Sequence, residues 1–373
     1  MLDPVIDEQL GRQIRVGNHW LPDWASCNYL GFDLDEEVIA STPELVARWG
    51  THPFWSRLLG NPRPHLEIEE QLTDLLGSED VMALPMITHI HMSVIPVLAG
   101  EGTILLHARA HKTLYDAAMV AAGRGAQVLR FGHNDSRHLE SVIRGFNALA
   151  PRVIALDGVS SMTANVCDLP EFSRIALQYD ALLYVDDAHG FGVIGERSPR
   201  ESCPYGPKGN SIFRHQGVSY GNAAMVAGLS KAYSSLLAFL ALTAGLKQSL
   251  KVLAPAYLDS GPSPVASAAL FRSCLDPPKR NAAPEHRPIT QARNCKWIFR
   301  LVSSFKTVPG PLTCRHAIRR IFASWPRASS HASFGSAAAT VACPPSASRT
   351  RCPASFSFTE ASRTSSVPTM RAS

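Results

Sequence analysis

Between about residues 35 and 275, short apolar runs alternate with longer stretches of helical period, and this alternation restricts the fold more than any other feature of the chain. The pattern predicts strands at Asp80–Leu84, Thr103–Leu106, Gln127–Phe131, Arg152–Leu156, Ala181–Asp186, Ala223–Gly228 and Leu237–Thr243. It predicts helices at His65–Leu76, His111–Ala122, Ser136–Phe146, Leu169–Gln178 and Pro264–Leu275. Strand and helix in turn build βαβ units, so an α/β fold is expected, with a mainly parallel, seven-stranded sheet and helices on both faces.

Ligands on such sheets bind beyond the carboxyl ends of the strands, and the polar sets of this chain stand there. The run 181–185 leads into Asp186-Asp187-Ala188-His189-Gly190, and 153–156 leads into Asp157-Gly158-Val159-Ser160-Ser161. The run 225–229 leads into Ser230-Lys231-Ala232, and 103–106 into His107 and, further on, His111. An acid, histidines, a hydroxyl and a lysine thus converge on one edge. Singly, a lysine after a strand is more often a solvated strand end, and His111 a surface or capping residue. Taken together, in order, they suit aldehyde chemistry. Burial lowers the proton affinity of an amine such as Lys231 and frees it to attack a carbonyl. Pyridoxal phosphate (PLP) also needs a carboxylate at its pyridine nitrogen, which Asp186 can supply, and a flat group against its ring, which His111 can supply.

Composition divides the 373 residues unevenly. Residues 277–373 hold 15 Lys and Arg against Glu285 and Glu360, a net of +13; the remaining 21 basic and 29 acidic residues give 1–276 a net of −8. The same stretch has 15 Ser, 15 Ala and 11 Pro but only two Gly, with weak periodicity. Two readings stay open for it: a stretch translated out of frame from a GC-rich gene, or a disordered basic tail that meets polyanions. The expected organisation is an N-terminal segment at 1–50, a large domain at 51–276 and this tail at 277–373. The opening MLDPVIDEQL lacks a basic stretch followed by an apolar run, and no apolar segment reaches the roughly 18 residues of a membrane span. A cytoplasmic protein is therefore expected. The eight cysteines form no CxxC pair and no zinc spacing, so neither disulfide nor metal is expected.

The ordered motifs resemble the α-oxoamine synthases, a PLP-dependent family within the aminotransferase class I/II superfamily. The resemblance is carried by VDDAHGFGVIGE (185–196), FGHNDSRHLE (131–140), NYLGF (28–32), SRLLGNPRPHLEIEEQL (56–72) and GLSKAYSS (228–235), in the family's order over roughly residues 20–275. It implies a fold-type I large domain with Lys231 as the Schiff-base lysine, Asp186 at the pyridine nitrogen and His111 stacked on the ring. It further implies His189 and Ser161 near the phenolic oxygen and Ser230 near the phosphate. Ser260 would reach the phosphate of a neighbouring subunit, hence a homodimer, while His65 and Glu69 would be structural. The implied reaction is decarboxylative condensation of an amino acid with an acyl-CoA or acyl-carrier-protein thioester to an α-amino ketone. The family's serine-glycine-aromatic contact is replaced by PMITHIH (85–91), a threonine by Gly228, an asparagine by Cys27 and a glutamate by Asp157. No residue of 277–373 matches the arginine with which the family's small domain holds the substrate carboxylate. The competing readings are an aminotransferase of the same fold, an inactive truncated remnant or partner subunit, and a nucleic-acid binder resting on the basic tail.

Overall fold

A computed structural model describes residues 3–52, 55–145, 149–201, 203–206 and 208–269, all within the first of two units, Met1–Pro309. The expected boundary at 276/277 and the tail lie outside the described residues.

The chain opens with an antiparallel sheet of β1 (Glu8–Leu10), β2 (Gln13–Val16) and β3 (His19–Pro22), followed by α1 (Glu36–Trp49) and α2 (Arg63–Leu76). Then come β4 (Asp80–Leu84), α3 (Ile87–Ala99), β5 (Thr103–His107), α4 (Lys112–Ala122), β6 (Gln127–Phe131), α5 (Ser136–Gly145) and β7 (Arg152–Asp157). The remaining elements are α6 (Leu169–Gln178), β8 (Ala181–Asp186), α7 (Ile212–Gln216), β9 (Ala223–Gly228), β10 (Ala238–Leu242), α8 (Ala244–Leu253) and α9 (Pro255–Leu258).

Strands β4 to β10 form one sheet of seven in the order β4-β10-β9-β8-β7-β5-β6. The pairs from β9 through to β6 are parallel, while β10 runs antiparallel to both β4 and β9. Successive side chains of each strand enter different cores. Leu183 and Val185 of β8 pack with Leu72, Leu139, Phe172 and Phe213 of α2, α5, α6 and α7. Tyr184 packs on the other face with Val94, Ala117 and Leu250 of α3, α4 and α8. Both faces are apolar, so the strand sequences carry no alternation to betray their pleat.

The sequence-predicted strands are all present. Helix α2 begins two residues earlier than expected, with Pro64 in its first turn, where a missing N–H costs nothing. At the start of the predicted helix 264–275 a 3₁₀ turn, Val265–Ala268, leads into helical Ala269; positions from 270 onward lie outside the described residues.

One buried charge cluster ties the edge of the sheet to its helices. The guanidinium of Arg57 donates to Glu69 at 2.8 Å and to the carbonyl of Ala83, and Glu69 accepts the N–H of Ala83 at 2.8 Å. Lys247 Nζ lies 3.1 Å from Glu69 and 2.6 Å from Asp80. Removing the shared carboxylate leaves Arg57 and Lys247 buried with less compensation, which typically costs about 3–5 kcal/mol. Glu69→Ala is therefore expected to lower unfolding stability by about that amount in denaturant melts. A loss below about 1 kcal/mol would show that the cluster is not needed to hold β4.

Candidate active site

The parallel register places Asp157, the last residue of β7, directly beside Asp186, the last residue of β8. Lys231 stands in the turn after β9. A cleft opens over these strand ends. Lys231, Asp186, His189, His111, Ser161 and Ser230 all line it, together with Asp157 and the Met86–Thr88 stretch. Of the residues singled out in the sequence, Ser260 does not line it; its hydroxyl donates to the carbonyl of Gly261 at 3.3 Å. The role implied for Ser260 concerns a neighbouring subunit. His65 and Glu69 are buried in α2, away from the lining.

The turn after β8 explains why two aspartates stand in a row. Asp186 faces the cleft and accepts the N–H of Ala188 at 2.9 Å. Asp187 faces away, is fully buried, and accepts the N–H of Ile212 at 3.0 Å. Burial pushes its carboxyl up to about 8. A Cβ on Gly190 would fall 2.0 Å from Asp187 Oδ1, so only glycine lets the turn close here. That closure carries His189 back over the strand end.

Lys231 Nζ lies 2.8 Å from His189 Nε2, and His189 Nδ1 lies 2.8 Å from the hydroxyl of Tyr29. Burial, then the charge of Lys231, pulls the imidazole of His189 down to about 4, so the ring is neutral near pH 7. With Nε2 accepting from Lys231, Nδ1 carries the ring proton toward Tyr29. Burial also lowers the proton affinity of Lys231, against the opposing pull of Asp186. Asp157 is pushed up to about 7, first by burial and then by Asp186. Both of its oxygens accept the backbone N–H of His111, at 3.2 and 3.1 Å. That bond fixes where α4 begins. His111 is its cap residue, one position before the helix proper.

Neither histidine of the 131–140 segment, His133 or His138, is in the cleft lining. His133 Nδ1 lies 3.0 Å from His107 Nε2, and the N–H of Asn134 donates to that same nitrogen at 3.1 Å. The segment thus braces the ends of β5 and β6 beside the cleft. Three residues at or beside the cleft carried no assigned role in the sequence: Tyr29, His91 and Thr113. Tyr29 sat inside the NYLGF motif, but its partner is 160 positions away. His91 and Thr113 touch at 3.0 Å across α3 and α4, 22 positions apart. Nothing in either local pattern announces these contacts.

The donor set fits PLP. Lys231 offers an amine with lowered proton affinity, Asp186 a carboxylate at a strand end, and His111 a flat ring on the cleft wall. The serine-glycine-aromatic sequence is missing, but Met86–Thr88 form the N-terminus of α3, which no side chain caps. Such backbone N–H groups and the helix dipole suit a phosphate, with Ser161 and Ser230 on the same cleft. Among the described residues, no group of three or more His, Cys, Asp or Glu is placed to hold a metal, and Cys27, Cys167 and Cys203 are unpaired.

The sequence matches the family described as aminotransferase class I and II over residues 23–285. The 8-amino-7-oxononanoate synthase of Pseudomonas syringae pv. syringae (strain B728a) is 31% identical over 268 residues, which is 71% of this chain and 64% of that protein. Serine palmitoyltransferase of Sphingobacterium spiritivorum is 32% identical over 185 residues, 49% of this chain and 46% of that protein. The solved structure of Sphingomonas wittichii serine palmitoyltransferase superposes with a TM-score of 0.63 at 23% identity, covering 79% of this chain and 66% of that one. The fold is therefore that of the PLP-dependent transferases of fold type I. The chain belongs to the aminotransferase class I and II family. Within it, these similarities fall among the α-oxoamine synthases, and the chain spans slightly less than two thirds of the synthase's length.

Asp157 gives the site a measurable pH signature. Its pKa rises from 3.8 unfolded to about 7 folded, so the folded state binds its proton more tightly. Stability attributable to this group is complete below the unfolded value and falls as pH climbs through the window to about 7. Asp157→Asn keeps an oxygen for the N–H of His111 and removes the titration. Its stability is expected to decline less steeply than the wild type's between pH 4 and 7, read from denaturant melts across that range. Parallel slopes would mean that Asp157 titrates normally.

Proposed function

We propose that this chain is a PLP-dependent acyltransferase of the α-oxoamine synthase type, condensing an amino acid with an acyl thioester and releasing the amino acid's carboxylate as carbon dioxide. The product is an α-amino ketone. The observation that carries the reading is the convergence of Lys231, Asp186, His189 and His111 on one cleft. Relatives at about 30% identity support it. When bound, PLP supplies an electron sink for the charge left on the substrate's α-carbon.

The chain's own residues do the rest. Lys231 Nζ would hold the cofactor, and with an amino acid in the cleft the same nitrogen would be the base for the α-proton. Burial keeps that nitrogen unprotonated for a larger share of the time than a surface lysine. His189 Nε2, 2.8 Å away, orients Nζ. Tyr29, on the other side of the same imidazole, holds that ring in place. Asp186 keeps positive charge on the pyridine nitrogen. His111, hung from Asp157 by its backbone, would form the wall for the cofactor ring.

The large domain at 51–276, the homodimer completed by Ser260, and a cytoplasmic location belong to this same reading. The location is consistent with the described helices, none of which is long and apolar enough to cross a membrane. Neither a nucleic acid nor a membrane is a partner in it.

The purified chain supplied with PLP is expected to show a visible absorbance band that Lys231→Ala abolishes. Incubated with an amino acid and an acyl-CoA, it should release carbon dioxide and free CoA. Retention of the band in Lys231→Ala would contradict the lysine assignment. Transfer of the amino group to a keto acid, without CoA release, would make the chain an aminotransferase instead. A band with neither reaction would point to an inactive remnant.

A further inference from the structure

His91 is a buried group at the cleft to which this chemistry gives no task. It lies within the PMITHIH stretch that departs from the family pattern, and its side chain is fully buried. Its ring packs edge-on against Tyr184 of β8, with centroids 5.7 Å apart and planes at 65°. Nδ1 lies 3.0 Å from the hydroxyl of Thr113, and that hydroxyl lies 2.8 Å from Nδ1 of His111. Nε2 has no hydrogen-bond partner and stands 3.6 Å from Oδ2 of Asp186. A line of polar atoms, with one gap of 3.6 Å, therefore runs from the carboxylate assigned to the pyridine nitrogen to the imidazole assigned to the ring face.

The protons along this line can be ordered by elimination. Burial pulls the His91 ring down to about 4, so it is neutral near pH 7 and has one N–H to place. With that proton on Nδ1, the Nε2 lone pair would face the Asp186 carboxylate in a buried setting, and the two would repel. With it on Nε2, the N–H points at the carboxylate. Nδ1 then accepts from the Thr113 hydroxyl, whose oxygen also lies beside Nδ1 of His111, the nitrogen that accepts the backbone N–H of Thr113 at the start of α4. A separation of 3.6 Å exceeds a hydrogen bond, but contacts of this kind tighten when a ligand fills a cleft.

We propose that His91 is a positioning residue for the cofactor site. Its Nε2–H faces and orients the Asp186 carboxylate, and the Thr113 hydroxyl, bonded to Nδ1, holds the His91 ring in that orientation. The inference rests on the reading of the cleft as a PLP site and deepens it. The titratable groups around Asp186 are His91 from α3, Asp157 from β7, Tyr184 within β8, and Asp187, His189 and Lys231 from the turns. Those around His91 are Asp186, Tyr184 and His111. Of these, His91 alone lies behind Asp186 with an unused ring nitrogen facing Oδ2.

The consequence is spectroscopic. Without the His91 donor the Asp186 carboxylate loses the N–H that faces and orients it, and positive charge on the pyridine nitrogen would be held less well. The nitrogen that joins Lys231 to the cofactor competes with that charge, so it keeps its own proton to higher pH.

The test is a pH titration of the visible band of the full-length, cofactor-loaded chain in four forms: wild type, His91→Phe, His91→Gln and His91→Asn. A glutamine amide reaches the position of Nε2, whereas an asparagine amide reaches only that of Nδ1. His91→Phe and His91→Asn are expected to raise the midpoint by about one pH unit, and His91→Gln to restore it toward the wild-type value. Thr113→Val should move it upward by less, and reports on the same line should His91→Phe not fold. An unmoved or lowered midpoint in His91→Asn, or equal behaviour of Asn and Gln, would overturn the inference. A wild-type chain without any visible band would instead overturn the cofactor reading itself.

Discussion

Two carboxylates lie side by side because two parallel strands end in register. Asp157 and Asp186 close β7 and β8 at paired positions, and both are nearly excluded from solvent. Like charges so placed cannot both ionise cheaply. The sheet leaves little freedom to move them apart, so the surroundings carry the adjustment. Asp157 is pushed up to about 7, and its cost is offset by the backbone N–H of His111 and by the charge of Lys231. Asp186 keeps the N–H of Ala188 and faces the cleft. One strand-end acid thereby becomes a structural acceptor while its neighbour remains available to a ligand's cation.

The rest of the site follows from holding this edge rigid. Asp187 turns inward and lets Gly190 close the turn, which swings His189 over Lys231. The contact from Asp157 decides where α4 begins and so where His111 stands. At the far edge of the sheet, the Arg57–Glu69–Lys247 cluster secures β4. The first turn of α3 follows β4 directly, no side chain caps it, and its residues line the cleft. The phosphate-binding sequence of the family is absent, yet the backbone feature that suits a phosphate remains.

Much of this was legible before any coordinates. Apolar runs that end on Asp186, Asp157 and Gly228 mark both the strands and the edge where chemistry gathers, because a buried parallel strand must be apolar until it leaves the core. The direction of β10 was not legible: AFLAL is equally apolar read either way, and both of its neighbours run opposite to it. Helix α3 escaped because it is apolar around most of its circumference, carries Pro96 inside and has no side-chain cap. The strands β1–β3 are largely exposed, so burial never shaped their sequence. Among site residues, Lys231, Asp186, His189 and His111 stand in motifs that sequence can order. Tyr29, His91 and Thr113 act through contacts between distant elements, and no local spacing encodes those.

The account makes Lys231 the point where fold and chemistry meet, since its amine is reached by His189, Asp186 and Asp157 together. Borohydride reduction of the PLP-loaded chain, followed by peptide mapping, tests this most directly. The account predicts a pyridoxyl group fixed on Lys231. A label on another lysine, or none at all, would contradict it.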